Sequence, residues 1–419
     1  MQTQTTPNTR KEPVRILLGT SILLIVVSII ATITVTMSIA TSIFGNLMED
    51  FVQRSSTTKV IQDLDEIVRN NYWGEIDSIN HITQIETGYI RGIGDPRSRY
   101  LTPSEYKAYQ ARILGNETGA GMLTQYDPAS GRLLVTRVFP SSPAAKSGLK
   151  AGDILVEIAD TQVNSFNSTE LQAKLQGSTL SSVKVTYSRE KKENTVTVML
   201  GFANPTVLTE VLENNVGYVR IFAFYEKTAE ELTRALSSLE KKNVMALVFD
   251  VRGVFEGTAA YAAAALDPLC PVPKGESGAL ATLIAKDDKV LRTFSSDAAQ
   301  INWPIAVVTD GRTLGAAELF ACDLRDFQKG TLVGEKTAGV DTALQDFELK
   351  DDGGGILLTV AKIRPYVSAG WADGLAPDVA ASLTDENKAK GALLPLAEDA
   401  QLQAALALFG ASTAGADEE

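Results

Sequence analysis

Two short stretches, Met245-Ala246-Leu247-Val248-Phe249-Asp250 and Pro304-Ile305-Ala306-Val307-Val308, are apolar almost throughout. A strand with one wet face alternates polar and apolar residues. A strand without that alternation has to be covered on both sides. Each stretch is followed by a segment of helical length, 258–266 after the first and 316–327 after the second. A strand at 216–222 with a helix at 229–239 precedes them, and a strand at 331–333 follows. Strands alternating with helices predict an α/β core over residues 203–385: a mixed, largely parallel sheet with covering helices. An amphipathic helix at 396–409 and a polar tail close the chain, within a segment 386–419.

The region before the core has a different texture. Residues 46–115 read as a helical segment. Val60, Ile61, Leu64, Ile67 and Val68 recur at helical spacing, and Thr102-Pro103-Ser104-Glu105 reads as a capping box with Pro in the first turn. Further upstream, residues 16–44 form a 29-residue run without a charge, preceded by Arg10, Lys11 and Arg15 and followed by Glu49 and Asp50. By length and flanking charge this run is expected to be one transmembrane helix. It would leave residues 1–15 cytoplasmic and the bulk of the chain outside the cell membrane.

Scarce residues exclude several kinds of chemistry. A single histidine, His81, rules out a cluster of histidine metal ligands, and the two cysteines, Cys270 and Cys322, do not make up the difference. No metal and no cofactor are expected. A Ser-His-Asp triad would depend on His81 alone, and that residue sits in a polar stretch that reads as surface. The 51 acidic against 39 basic residues give a net charge of -12, which argues against a nucleic-acid partner.

Residues 118–202 contain Ser142-Pro143-Ala144-Ala145, Gly148-Leu149 and Gly152-Asp153-Ile154-Leu155. This pattern resembles a PDZ domain of the bacterial protease type. Such a fold adds a peptide's last residues as an extra strand, with the terminal carboxylate in a nest of backbone N–H groups. The resemblance assigns the nest to Gly119, Ala120, Gly121 and Met122 and the start of the accepting strand to Met122, Leu123 and Thr124. Leu171 and Leu175 fall in the side-chain pocket. Peptide or protein C-termini are the implied partners.

The core carries further matches: Gly217-Tyr218-Val219-Arg220-Ile221, Asp250-Val251-Arg252, Val333-Gly334-Glu335-Lys336-Thr337-Ala338-Gly339 and Gly374-Leu375-Ala376-Pro377-Asp378-Val379. Together with Gly94-Asp95-Pro96-Arg97-Ser98-Arg99-Tyr100-Leu101 upstream, they resemble the C-terminal processing peptidases, the S41 or tail-specific protease family. The resemblance implies peptide hydrolysis by a serine-lysine dyad, in which a desolvated lysine amine takes the serine proton. It also implies oligomers, with copies of the chain or with an active homologue, made through the terminal helical segments.

The dyad itself is absent. The family's serine stands three positions before a glutamate and its lysine 25 positions after the serine. Anchored on Glu318, these positions are Gly315 and Val340. The family's oxyanion loop reads here Asp250-Val251-Arg252 followed by Gly253, Val254, Phe255, Glu256 and Gly257, with a carboxylate where negative charge would develop. A relocated nucleophile would have to be Thr313 or Cys322, with Lys336 or Lys329 as base. The expectation is a membrane-anchored peptide binder or regulator without hydrolytic activity. The alternatives are an active peptidase with relocated residues and a scaffold for an active homologue.

Overall fold

The computed structural model describes residues 18–410 apart from 179, 213–214, 271–278 and 297–300. The segment 1–15, expected to be cytoplasmic, and the polar tail at 412–419 lie outside the described residues. The chain divides into two compact units, residues 1–81 and 82–419.

In the first unit a 54-residue helix, Leu18–Asn71, contains most of the uncharged run. Among the described residues no helix is long and apolar enough to cross a membrane. The expected transmembrane helix, the membrane as a partner and the single-pass placement in the cell membrane are therefore corrected. Lack of charge is a weaker criterion than apolarity: nine of the 29 residues at 16–44 are Ser or Thr. The Thr32 and Thr34 hydroxyls donate back to the carbonyls of Ser28 and Ile30. The helix also runs on through polar sequence to Asn71, where the Arg69 side chain bonds Asp65 at 2.8 Å. His81 faces the same carboxylate at 3.8 Å.

The second unit holds three larger sheets. Strands Met122–Asp127, Arg132–Val138, Ile154–Ile158, Ser182–Arg189 and Lys192–Met199 follow one another in an antiparallel sheet. Leu133, Val135, Leu155, Ile158, Leu171, Val185 and Val198 fill its core with no exposed surface. The Ser-Pro-Ala and Gly-Asp signatures have plain structural duties here. Ser142 caps the helix Pro143–Lys146. Asp153 accepts from Lys150 N and pairs with Arg189 at 2.6 Å.

The core sheet runs Val207–Val211, Val216–Ile221, Ala246–Asp250, Ile305–Thr309, Gly330–Gly334 and Val379–Ala380, antiparallel at the first pairing and parallel at the other four. Every residue of Ala246–Asp250 and Ile305–Thr309 is buried, as their unbroken apolar character requires. One face of the sheet and the helices Thr228–Glu240, Ala259–Leu266 and Ala316–Asp326 supply a single apolar cluster. The helix Ala400–Ala407 covers the other face.

Two parts of the expected architecture need correction. A largely parallel sheet accounts for only half of the core, because a second sheet is wholly antiparallel. In it the strand Gly355–Arg364 pairs with Thr342–Glu348, Arg99–Leu101 and Ala281–Ile284, and the last of these pairs with Val290–Phe294. The closing helix at 396–409 is split, since Asp399 caps Ala400–Ala407 by accepting from Gln401 N and Leu402 N. Asp399 also pairs with Arg252 at 2.7 Å, and Arg252 pairs with Asp250. Burial alone would raise the Asp250 carboxyl, but Arg220 and Arg252 hold it well below the usual carboxylate range.

Candidate functional site

The strand Ile305–Thr309 leads through a short loop into the helix Ala316–Asp326, and Gly315 is the residue at that turn. Its backbone, φ 63° and ψ −112°, is a strained strand-to-helix turn of the kind that lifts a nucleophile above a sheet. A side chain here would have room: a Cβ would meet only the Arg97 Nη2 atom, at 3.8 Å. Glycine tolerates this conformation and has no side chain to present.

Glu318, one turn into the helix, is fully buried. Its Oε2 accepts from the backbone N–H of Gly315 at 2.9 Å and of Val340 at 2.8 Å. Its Oε1 accepts from the Thr337 hydroxyl at 2.5 Å and from Gly339 N–H at 2.7 Å. Thr337 in turn accepts from Leu375 N–H at 2.8 Å. A buried carboxylate is stable when several donors satisfy it. One oxygen of this one touches the backbone of both positions that the sequence pattern singled out. The two positions are therefore neighbours in space, as a dyad would require, although 25 residues separate them in sequence.

The loop 253–257 lies alongside, since Leu314 N–H donates to the carbonyl of Val254 at 3.1 Å. Gly253 has φ 65° and donates to Asp310 Oδ1 at 2.8 Å. Gly257 runs against Phe224 so closely that a Cβ would stand 2.7 Å from that residue's backbone oxygen. Val254 is buried, whereas Phe255 is 64% exposed. Glu256 is turned toward Arg112, at 3.4 Å, and the Tyr225 hydroxyl. It is thus a tie to the end of the helix Pro103–Ile113.

None of the relocated candidates is placed for attack. Thr313 is fully buried, and its hydroxyl is shared among Val251 O, Asp310 Oδ1 and Asp310 N. Cys322 is buried, and burial with the nearby Asp326 and Asp323 carboxylates pushes its thiol up to about 12. Burial likewise pushes the Cys270 thiol up. Both cysteines are free. Lys329 reaches Asn302 at 3.3 Å, and Lys336 is exposed.

The second candidate site is the groove of the antiparallel domain. The strand Met122–Asp127 is an edge strand, paired among the described residues with Arg132–Val138 alone. The short helix Ser168–Ala173 faces it, carrying Leu171, with Leu175 just beyond its end. Gly121 has φ 80°, and a Cβ there would lie 2.2 Å from Ser142 Cβ, so the loop packs on the Ser-Pro-Ala turn. Ala120 N–H is taken by the carbonyl of Leu175 at 2.9 Å. Leu171, Leu175 and Met122 are all buried.

One contact in the groove had no signal in the sequence. Gln172 Nε2 donates to Thr124 O at 3.0 Å and to Thr124 Oγ1 at 3.1 Å. This ties the helix to the edge that a peptide strand would occupy. A separate cleft of about 720 Å³, lined by Arg137, Lys150 and Leu393 among others, contains none of the residues discussed for either site.

Comparison with known proteins agrees with this geometry. Residues 215–381 match the model of peptidase family S41, and residues 120–200 match that of the PDZ domain. The core of the chain is similar to peptidase family S41. Among curated relatives of this chain is the carboxy-terminal processing protease CtpA of Bacillus subtilis. It is 28% identical over 329 residues, covering 77% of this chain and 68% of that protein. The chloroplastic C-terminal processing peptidase of Tetradesmus obliquus is 29% identical over 311 residues, covering 68% of this chain but only 65% of its own length. A solved structure of an S41 protease from Bacteroides fragilis has a TM-score of 0.55 at 20% identity, covering 81% of this chain and 91% of that one. That likeness supports the fold.

Proposed function

We propose that this chain binds peptide or protein C-termini through its PDZ domain and does not hydrolyse them. The observation that carries the reading is the pair Gly315 and Val340, held side by side on one Glu318 oxygen at the positions where the family pattern puts a nucleophile and a base. Glycine offers no oxygen for attack, and valine cannot take a proton. The buried, fully engaged Thr313 and the buried Cys322 give a relocated site no support.

The test uses the full chain, incubated for a day with an unfolded protein that ends in apolar residues, its intact mass followed throughout. The substrate is expected to keep its mass. A Gly315→Ser, Val340→Lys double variant runs beside it, and cleavage by that variant alone would show that only the chemistry is missing. Shortening of the substrate by the natural chain overturns the proposal.

A further inference from the structure

Arg97 stands where a side chain at position 315 would point, and among the described residues half of its guanidinium has no hydrogen-bond partner. Its Nη1 donates to Thr342 O at 2.7 Å and to Thr342 Oγ1 at 2.8 Å, which fixes the plane of the fork. Among the described residues neither Nε nor Nη2 has a hydrogen-bond partner, and Nη2 is the atom 3.8 Å from the place of a Gly315 Cβ. The loop that carries Arg97 is pinned. Asp95 Oδ1 accepts from Arg97 N–H at 3.0 Å and Asp95 Oδ2 from Ser98 Oγ at 2.5 Å, while Ser98 Oγ accepts from Thr359 N–H at 3.1 Å. The guanidinium is half-buried. Burial weakens its hold on the proton, against the pull of Asp95 and Glu318. Both of those carboxylates are occupied with other donors.

We infer that the cleft beside Gly315 is a carboxylate-binding site, in which Arg97 grips the acid group of a bound peptide. A half-desolvated guanidinium with an unused edge matches a planar carboxylate, and the pair forms two parallel charge-assisted bonds. The chain's net charge of -12 disfavours a doubly charged phosphate more than a singly charged carboxylate. Glycine at 315 leaves the approach to Nη2 open. Val340, whose N–H shares a Glu318 oxygen with that of Gly315, puts an aliphatic residue beside this approach. The acid can come from a peptide's C-terminus or from an Asp or Glu side chain. This inference rests on the non-hydrolysing reading only in that an uncut peptide stays bound.

The test is photo-crosslinking of the full chain to an acetylated apolar octapeptide with a benzophenone near its end. It is made in three forms: free C-terminal acid, C-terminal amide, and amide with a terminal Glu. The free acid is expected to label both the PDZ groove and the segments around residues 97, 255 and 340. In the amide form and in Arg97→Gln the cleft label is expected to fall about tenfold, the value of one charge-assisted pair. In Arg97→Lys part of it remains. The groove label, unchanged in both variants, reports that they are folded. Recovery of the cleft label by the Glu amide assigns the acid to a side chain, and no recovery assigns it to the C-terminus.

Label in the groove alone, or cleft label indifferent to the amide and to Arg97→Gln, overturns the carboxylate site. Loss of cleft label to inorganic phosphate but not to acetate overturns the choice of anion. A shortened peptide overturns the non-hydrolysing reading and leaves the Arg97 dependence to decide the site.

Discussion

The cleft and the groove of this chain differ in opposite ways from the pattern that each resembles. In the cleft the backbone that a peptidase needs is in place: the strained turn at Gly315, the Glu318 bonds to positions 315 and 340, and the close-packed loop at Gly257. What is missing is two side chains. In the groove the residues that the pattern calls for are present, but a hydrogen bond from Gln172 spans the place where a peptide would lie. Two absent side chains and one added contact leave different traces. The first is visible in sequence and the second only in space.

Substitution should separate the two regions by what their glycines and carboxylates do. Glu318→Ala removes a buried carboxylate and strands four donors, so it is expected to cost at least about 3 kcal/mol in urea unfolding. Gly121→Ala in the groove is expected to cost a similar amount, because its φ is 80° and the new methyl would overlap Ser142. Gly315→Ala has open space and carries only the backbone strain, about 1–3 kcal/mol. Equal losses at Gly121 and Gly315 would break the contrast, since they would mean that position 315 is packed shut rather than open.

Much of this was legible because it depends on neighbours in the chain. Unbroken apolar runs announced the buried strands Ala246–Asp250 and Ile305–Thr309, and the Glu318 register located positions 315 and 340. What escaped depends on distant partners. Arg99–Leu101 finds its sheet beside Gly355–Arg364, more than 250 positions away, so no local pattern records it. Arg97 looks like any surface arginine until the fold brings it to Gly315. Gln172 lies between the two leucines that were singled out, and its target, Thr124, belongs to another element. The reading of residues 16–44 failed for a different reason: it counted charges and ignored the hydroxyl groups.

The bond across the groove gives a smaller effect with an unusual sign. Gln172→Ala removes a contact of the unbound chain, frees Thr124 O, and is expected to tighten binding of a free-acid apolar peptide about fivefold, the worth of roughly 1 kcal/mol. Fluorescence anisotropy of a labelled peptide would measure it. Weaker binding would mean that Gln172 holds the peptide rather than excluding it, and the groove would then be as ready as its sequence suggests.

The smallest effect should be on the two thiols, and it tests whether the cleft is as rigid as its bonds imply. Cys322 lies on the helix that carries Glu318, is fully buried, and has its thiol pushed up to about 12. At pH 8 only about one thiol in 10⁴ would be ionised even if reagent could reach it. Iodoacetamide is therefore expected to label neither Cys322 nor Cys270 in the native chain over hours, and both in urea. The Gln172→Ala change should leave that result untouched, because it loosens only the groove. Fast labelling of Cys322 in the native chain would show the helix opening on its own, and the Glu318 clamp would then be no stronger than the Gln172 bond.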